Sequence, residues 1–277
     1  MQSGGVSIPV TLALGLAVVL YTRGWYQLRN ALSNPIPRWR FAVFVAGLIS
    51  VWIAVGSPLA ELDHQLLSIH MVQHLVLMTV GAPLILLGAP IVLLPFRYPL
   101  IRRIWQRLTQ PTVAWLAGTA AVIGWHVPAA FELGMRSHLW HVTEQATFFA
   151  AGILFWWPII EQRPGTAKRS RWFVPLYLFV GTLPCDALSA FLTFCDRVVY
   201  KPYVRGPQLF DMSPLQDQET AGALMWVCVT FIYLVPAVVI TIRLLSPPMS
   251  EGAVVSILVD RQQRQKTWKS LPSDGTK

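Results

Sequence analysis

Residues 65–87 read QLLSIHMVQHLVLMTVGAPLILL, a run without a single Asp, Glu, Lys or Arg. A helix rises about 1.5 Å per residue, so roughly 20 such residues cross the hydrocarbon of a bilayer. The run therefore reads as a membrane span, yet it carries His70 and His74. On a helix His70, His74 and Met78 recur every fourth residue and stack along one face. Imidazole and thioether together suit copper, Cu(I) above all, better than magnesium or calcium. Ionisable side chains inside a membrane are costly and usually mark function. The plainer reading is two packing histidines satisfied by neighbouring spans. It loses ground because Met71 and Met78 accompany the pair.

The remaining chain agrees with a membrane setting. Of its 277 residues 54% are hydrophobic and only 13% charged. That composition predicts an all-α, polytopic membrane helix bundle. Seven spans are expected, at about 6–22, 41–58, 65–87, 112–127, 138–160, 172–195 and 221–245. No positive charge precedes the first apolar stretch and Arg23 follows it, the reverse of a secretory signal peptide. The first stretch therefore reads as a retained span. Residues 1–246 form the membrane domain, and 247–277 a basic, flexible tail suited to anionic lipid headgroups. Gly81-Ala82-Pro83 and Gly88-Ala89-Pro90 read as a kink and then the end of the third span.

The net charge of +9 points to topology rather than to nucleic acid. Arg23, Arg29, Arg38 and Arg40 fall in the first loop, and Arg97, Arg102, Arg103 and Arg107 in the third. Arg163, Lys168, Arg169 and Arg171 fall in the fifth. The tail holds Arg243, Arg261, Arg264, Lys266, Lys269 and Lys277. Only Arg136, Arg197, Lys201 and Arg205 lie in the alternate loops. The positive-inside rule then sets the N-terminus outside and the C-terminus in the cytoplasm. The three cysteines, Cys185, Cys195 and Cys228, are an odd number and form no CxxC. They argue against a disulfide framework but leave a Cys185–Cys195 pair open.

With that topology all six histidines fall on the outer side. His70 and His74 lie in the outer half of the third span. His126 ends the fourth in Trp125-His126-Val127-Pro128, and His138 and His141 open the fifth. His64 lies in a loop, where solvation is the expected state. His138, His141 and Glu144 share a stripe at i, i+3 spacing, so Glu144 suits orienting a histidine ligand and fixing its tautomer. The candidate metal ligands are thus His70, His74, Met78, His126, His138 and His141. Glu144, Asp186 and Asp217 are the candidate supporting or proton-relaying carboxylates. Asp186 reads equally as structural, and Cys185 and Met225 read more simply as packing. Trp156 and Trp157 fit an aromatic belt at the inner interface.

Several segments together resemble the multi-spanning CtaG family of cytochrome c oxidase assembly factors, bacterial membrane proteins associated with caa-type oxidase. They are His70-Met71-Val72-Gln73-His74 running to Gly88-Ala89-Pro90, Trp125-His126-Val127-Pro128, and His138 to Glu144 followed by Phe155-Trp156-Trp157-Pro158. Leu192-Thr193-Phe194, Ser213-Pro214-Leu215-Gln216-Asp217-Gln218, Ala221-Gly222 and Met225-Trp226 extend the match. It covers residues 64 to about 240. The resemblance implies a multi-pass protein of the bacterial inner membrane that helps mature the oxidase, plausibly at its copper centres. The implied partners are cytochrome c oxidase subunits and a periplasmic-side copper donor. Gln145 departs from the pattern, because the family often carries a histidine just after the glutamate; if that histidine is a ligand, this chain has lost it or substitutes the Gln145 oxygen.

The leading expectation is a non-enzymatic assembly factor that holds copper transiently. A haem-binding redox protein is the alternative, with His74 and either His126 or His141 as axial ligands. A transporter is disfavoured because the polar residues stop short of the inner half. A scaffold without ligand also fits. No nucleophile–base pair or phosphate loop appears, which argues against a hydrolase or ATPase.

Overall fold

Prolines and small polar caps decide where the helices start, bend and stop. The computed structural model describes residues 6–31, 37–88, 99–161, 170, 172–204 and 211–246, and among them the only regular secondary structure is helical. The helices are α1 (Ile8–Ala31), α2 (Arg38–Val55), α3 (Leu67–Leu87), α4 (Pro99–Leu108), α5 (Pro111–His126), α6 (Pro128–Arg136), α7 (His138–Ile160), α8 (Phe173–Phe194) and α9 (Pro214–Leu245). A 3₁₀ turn, Pro58–His64, joins α2 to α3. The expected tail from Pro247, and Pro90, Arg97, Arg163, Lys168, Arg169, Arg171 and Arg205, lie outside the described residues.

Five helices are long and apolar enough to cross a membrane: α1, α2, α3, α8 and α9. The pair α5–α6 makes a sixth if its 77° bend is taken as one broken span. Val127 lies between them in extended conformation, because a residue before proline is pushed out of the helical region. The remaining expected span is α7, whose length suffices but whose first two turns carry His138, His141, Glu144 and Gln145. The last span begins at Pro214 rather than near 221. Ser213 caps it, its hydroxyl accepting from the Gln216 amide while the Gln216 side chain accepts from the Ser213 amide.

Two helices contain a π-helical segment, Val76–Gly81 in α3 and Thr230–Leu234 in α9. Each is followed within two residues by a proline, Pro83 or Pro236. Proline lacks the N–H for the carbonyl four residues back and its ring collides with that carbonyl; a widened turn relieves the clash. The Gly81-Ala82-Pro83 motif thus coincides with a π segment, and α3 ends at Leu87, just before Gly88. In α8 the same problem has a side-chain answer. Pro184 cannot donate to the Val180 carbonyl, and the Trp115 indole donates to it instead, at 3.2 Å.

Around α3 the bundle has two apolar clusters. Tyr21, Phe44, Leu48 and Val51 of α1 and α2 pack against Leu77 and Ile85. On the other side Met71, Phe148, Phe155, Leu178 and Met225 join α3 to α7, α8 and α9. Gly152 lets α7 approach the π segment, since a Cβ there would lie 2.9 Å from the Met78 carbonyl. Leu16, Leu139, Leu176, Phe194 and Phe231 are more than half exposed, whereas His70, Glu144, Asp217 and Gln218 are buried. That inverts the pattern of a water-soluble protein and suits a lipid surround. Helix α4 sets Leu100, Ile101, Ile104 and Leu108 against Arg102, Arg103 and Arg107. It buries none of its residues, the form of a helix that lies along a membrane surface.

Candidate metal centre

Helix α3 enters the bundle with its first amides capped from another span. Asp217 of α9 accepts from the Leu67 amide at 2.6 Å and from the Ser68 amide at 3.0 Å. A carboxylate at a helix N-terminus satisfies otherwise orphaned N–H groups and complements the helix dipole. Asp217 therefore positions the helix that carries His70 and His74. Next to it in sequence, Gln218 ties down the chain after α8, accepting from the Val199 amide at 2.7 Å and donating to the Arg197 carbonyl at 3.2 Å.

One turn inward, three side-chain atoms converge. His70 Nε2 and His74 Nε2 are 2.8 Å apart, and Glu144 Oε1 lies 3.4 and 3.3 Å from them. The three residues are 0, 4 and 1% exposed. Ring contacts set the imidazole planes: His74 stacks on Phe148 at 3.9 Å and His70 tilts against Phe131 at 5.1 Å. Both Nδ1 atoms have no hydrogen-bond partner among the described residues, so the rings are held by packing with Nε2 turned toward the carboxylate. Two imidazole nitrogens and a carboxylate oxygen this close need a proton or a cation among them. Donor atoms at these separations would suit an ion bonding at about 2.0–2.1 Å. The residues therefore fit a metal bound by two nitrogens and one oxygen.

Glu144 also faces a second group. Its Oε2 is 3.6 Å from His141 Nδ1, and His141 Nε2 is 2.7 Å from Asp63 Oδ2. His64, half exposed, adds its ring beside Asp63. Asp63, His64 and His141 also lie close enough together to hold an ion. Burial alone would raise the Asp63 carboxyl, but the His141 imidazole against it, with His64 and His70 nearby, holds it below the usual carboxylate range. Burial keeps His64 below its ordinary value despite the pull of Asp63. Tyr203 fixes this corner by donating to the Asp63 carbonyl at 2.6 Å. Glu144 has room only because residue 134 is glycine: a Cβ there would stand 2.6 Å from Glu144 Oε2.

The predicted site residues thus separate. His70 and His74 meet, and Glu144, expected to support a ligand, stands level with them. His141 belongs to the neighbouring group. His138 is exposed at the start of α7, outside both groups. His126 and Met78 instead line a cavity beside the triad. Asp186 is half-buried on α8 with Oδ1 unpartnered among the described residues. Gln145 lies 2.8 Å from His141 Nε2 and 3.4 Å from Gln73 Oε1, so it serves the outer group. Cys185 and Cys195 are both free thiols. Asp63 escaped notice because a 3₁₀ turn, not a helical repeat, brings it in. Its only signal was an acidic segment just ahead of the span.

A sequence model of the cytochrome c oxidase caa3 assembly factor family matches residues 19–246. No curated protein and no solved structure matches the chain.

Proposed function

The chain belongs to the caa3 family of cytochrome c oxidase assembly factors, and we propose that it serves the oxidase by holding copper transiently between His70, His74 and Glu144. The observation that carries this reading is the meeting of two imidazole nitrogens and one carboxylate oxygen within 3.4 Å, buried inside a helix bundle. A buried carboxylate and two histidines are expensive in lipid unless a bound cation or a shared proton compensates them. The donor set alone would accept zinc as well as copper; membership in an oxidase assembly family favours copper. A bound copper ion would be supplied to a copper centre of the oxidase. The chain's own residues hold it, fix the ligand geometry and keep water and lipid away.

The topology that supports this role has seven spans, α7 and the broken α5–α6 pair included, in the bacterial inner membrane. In this reading the triad lies toward the outer face, the side on which oxidase copper is inserted; the distribution of basic residues supports that orientation. A periplasmic-side copper donor and the oxidase subunits are the partners that follow. The role is that of a carrier rather than of an enzyme. Haem is the weaker reading, because the histidines beside the cavity do not turn Nε2 toward a common space: His74 presents it to Glu144 and His126 to Met71.

The test is metal analysis with an optical spectrum on detergent-purified protein, wild type beside His70→Ala/His74→Ala. Chelator-resistant copper that is lost in the double variant, without a Soret band, is the expected result. Copper retention unchanged by the double substitution would overturn the triad. A Soret band lost with the histidines would move the assignment to haem.

A further inference from the structure

Below the triad, α3, α5, α7, α8 and α9 line the cavity just mentioned. Its wall carries four sulfur side chains, Met71, Met78, Met225 and Cys185, together with His126 and the ring of His74. The four sulfur residues are at most 8% exposed. Methionine usually fills gaps in a core, since its flexible thioether adapts to irregular space. Here three methionines surround a space and leave it open.

The hydrogen bonding of His126 says more. Its Nδ1 is 2.6 Å from the Val122 carbonyl. A carbonyl can only accept, so Nδ1 carries the proton. No carboxylate among the described residues lies within ion-pair distance of His126, and the ring is 93% buried, so a charged imidazolium there would go uncompensated. The neutral ring then has a lone pair on Nε2. That atom faces Met71 Sδ at 3.1 Å, and a thioether sulfur has lone pairs but no proton. Two donor atoms thus point at each other beside a cavity, with nothing between them to share.

We infer that this pair, His126 Nε2 and Met71 Sδ, is the core of a second metal site, for a soft monovalent ion of the Cu(I) class, with Met78, Met225 and Cys185 in the surrounding wall. Imidazole and thioether select Cu(I) over harder divalent ions. The cavity contains no carboxylate, so a single positive charge is the most that such neutral walls hold cheaply. The triad, with its Glu144 charge, is the complementary site. The two adjoin: Met71 follows His70, and His74 presents Nε2 to the triad while its ring borders the cavity. Transfer between them is a ligand exchange in which copper remains Cu(I); a proton leaves the triad as the ion enters it and returns as the ion departs.

This inference rests on the copper-handling reading, and the test separates the two. Full-length protein in detergent is titrated anaerobically with Cu(I) against a chromophoric chelator, and sulfur ligation is read from copper K-edge X-ray absorption. Wild type is expected to bind two ions, with sulfur in the coordination shell. Met71→Leu/Met78→Leu/Met225→Leu, a swap that conserves side-chain volume, should weaken one of the two at least tenfold and strip out the sulfur signal. His70→Ala/His74→Ala should keep the sulfur-ligated ion and lose the other. A sulfur signal absent from wild type, or intact in the triple leucine variant, overturns the second site and leaves the triad standing. Two ions retained in His70→Ala/His74→Ala overturn the triad and leave the sulfur site standing. Circular dichroism and gel filtration of each variant confirm that the bundle is intact.

Discussion

At the scale of single residues, Glu144 links the two histidine groups, because one carboxylate faces both through different oxygens. Glu144→Gln keeps the volume and removes the charge. We expect copper affinity to fall at least about tenfold, the order seen when the partners of metal-binding residues are lost, measured by chelator competition. Unchanged affinity would reduce Glu144 to a structural acceptor. Gly134→Ala tests the same carboxylate by sterics. Its new Cβ would stand 2.6 Å from Oε2, and overpacking of this kind costs about 1–3 kcal/mol. The thermal midpoint in detergent should drop and copper binding weaken. Adding Glu144→Asp, one methylene shorter, should recover part of the stability; no recovery would mean that the clash lies elsewhere. This level of detail was only half legible in the sequence. His70, His74 and Glu144 declared themselves by spacing along their own helices. That they meet one another, while His126 and Met78 turn to a separate cavity, depends on how α3, α5 and α7 rotate about their axes. Periodicity within one helix does not fix that rotation.

At the scale of elements, helix ends and interruptions carry the information that hydropathy misses. Most spans could be read from apolar runs, but the start of α9 could not. Asp217, Gln218 and Glu219 look like a loop until Ser213 and Gln216 are seen to cap a helix, and until Asp217 is seen to bond α3. The π segments were likewise invisible in hydropathy, with only Gly81-Ala82-Pro83 as a signal for the first. The cap yields a prediction. Asp217→Ala strands the Leu67 and Ser68 amides inside the bundle. Loss of an N-terminal cap costs about 0.5–2 kcal/mol, and buried unsatisfied donors push this toward or beyond the upper end. Asp217→Asn keeps one acceptor oxygen and should cost less. Thermal unfolding of the three proteins in detergent should rank them wild type, Asn, Ala. An Asn variant as unstable as the Ala variant would show that the negative charge at the helix end, rather than the hydrogen bonds, is what matters.

At the scale of the whole molecule, the question is which way the bundle faces, since the proposed copper carriage requires a site open toward the side where the oxidase is loaded. Two features agree, and they share Arg102, Arg103 and Arg107. The basic residues concentrate in alternate loops, and α4, with Arg102, Arg103 and Arg107 on one face, is built to lie on an anionic membrane surface. At the other end of the bundle are the Asp63 turn, the α5–α6 bend and the start of α7, which together roof the triad. If the first end is cytoplasmic, the second is outside. Cysteines introduced one at a time by Arg103→Cys and Arg136→Cys, in a background with Cys195→Ser and Cys228→Ser that keeps only the buried Cys185, test this directly. An impermeant maleimide added to intact spheroplasts should label position 136 and spare position 103 until the membrane is broken. The reverse pattern would turn the triad toward the cytoplasm. The copper-carrier reading would then lose its geometric support even if the protein bound copper, because the ion would be released on the side away from its recipient.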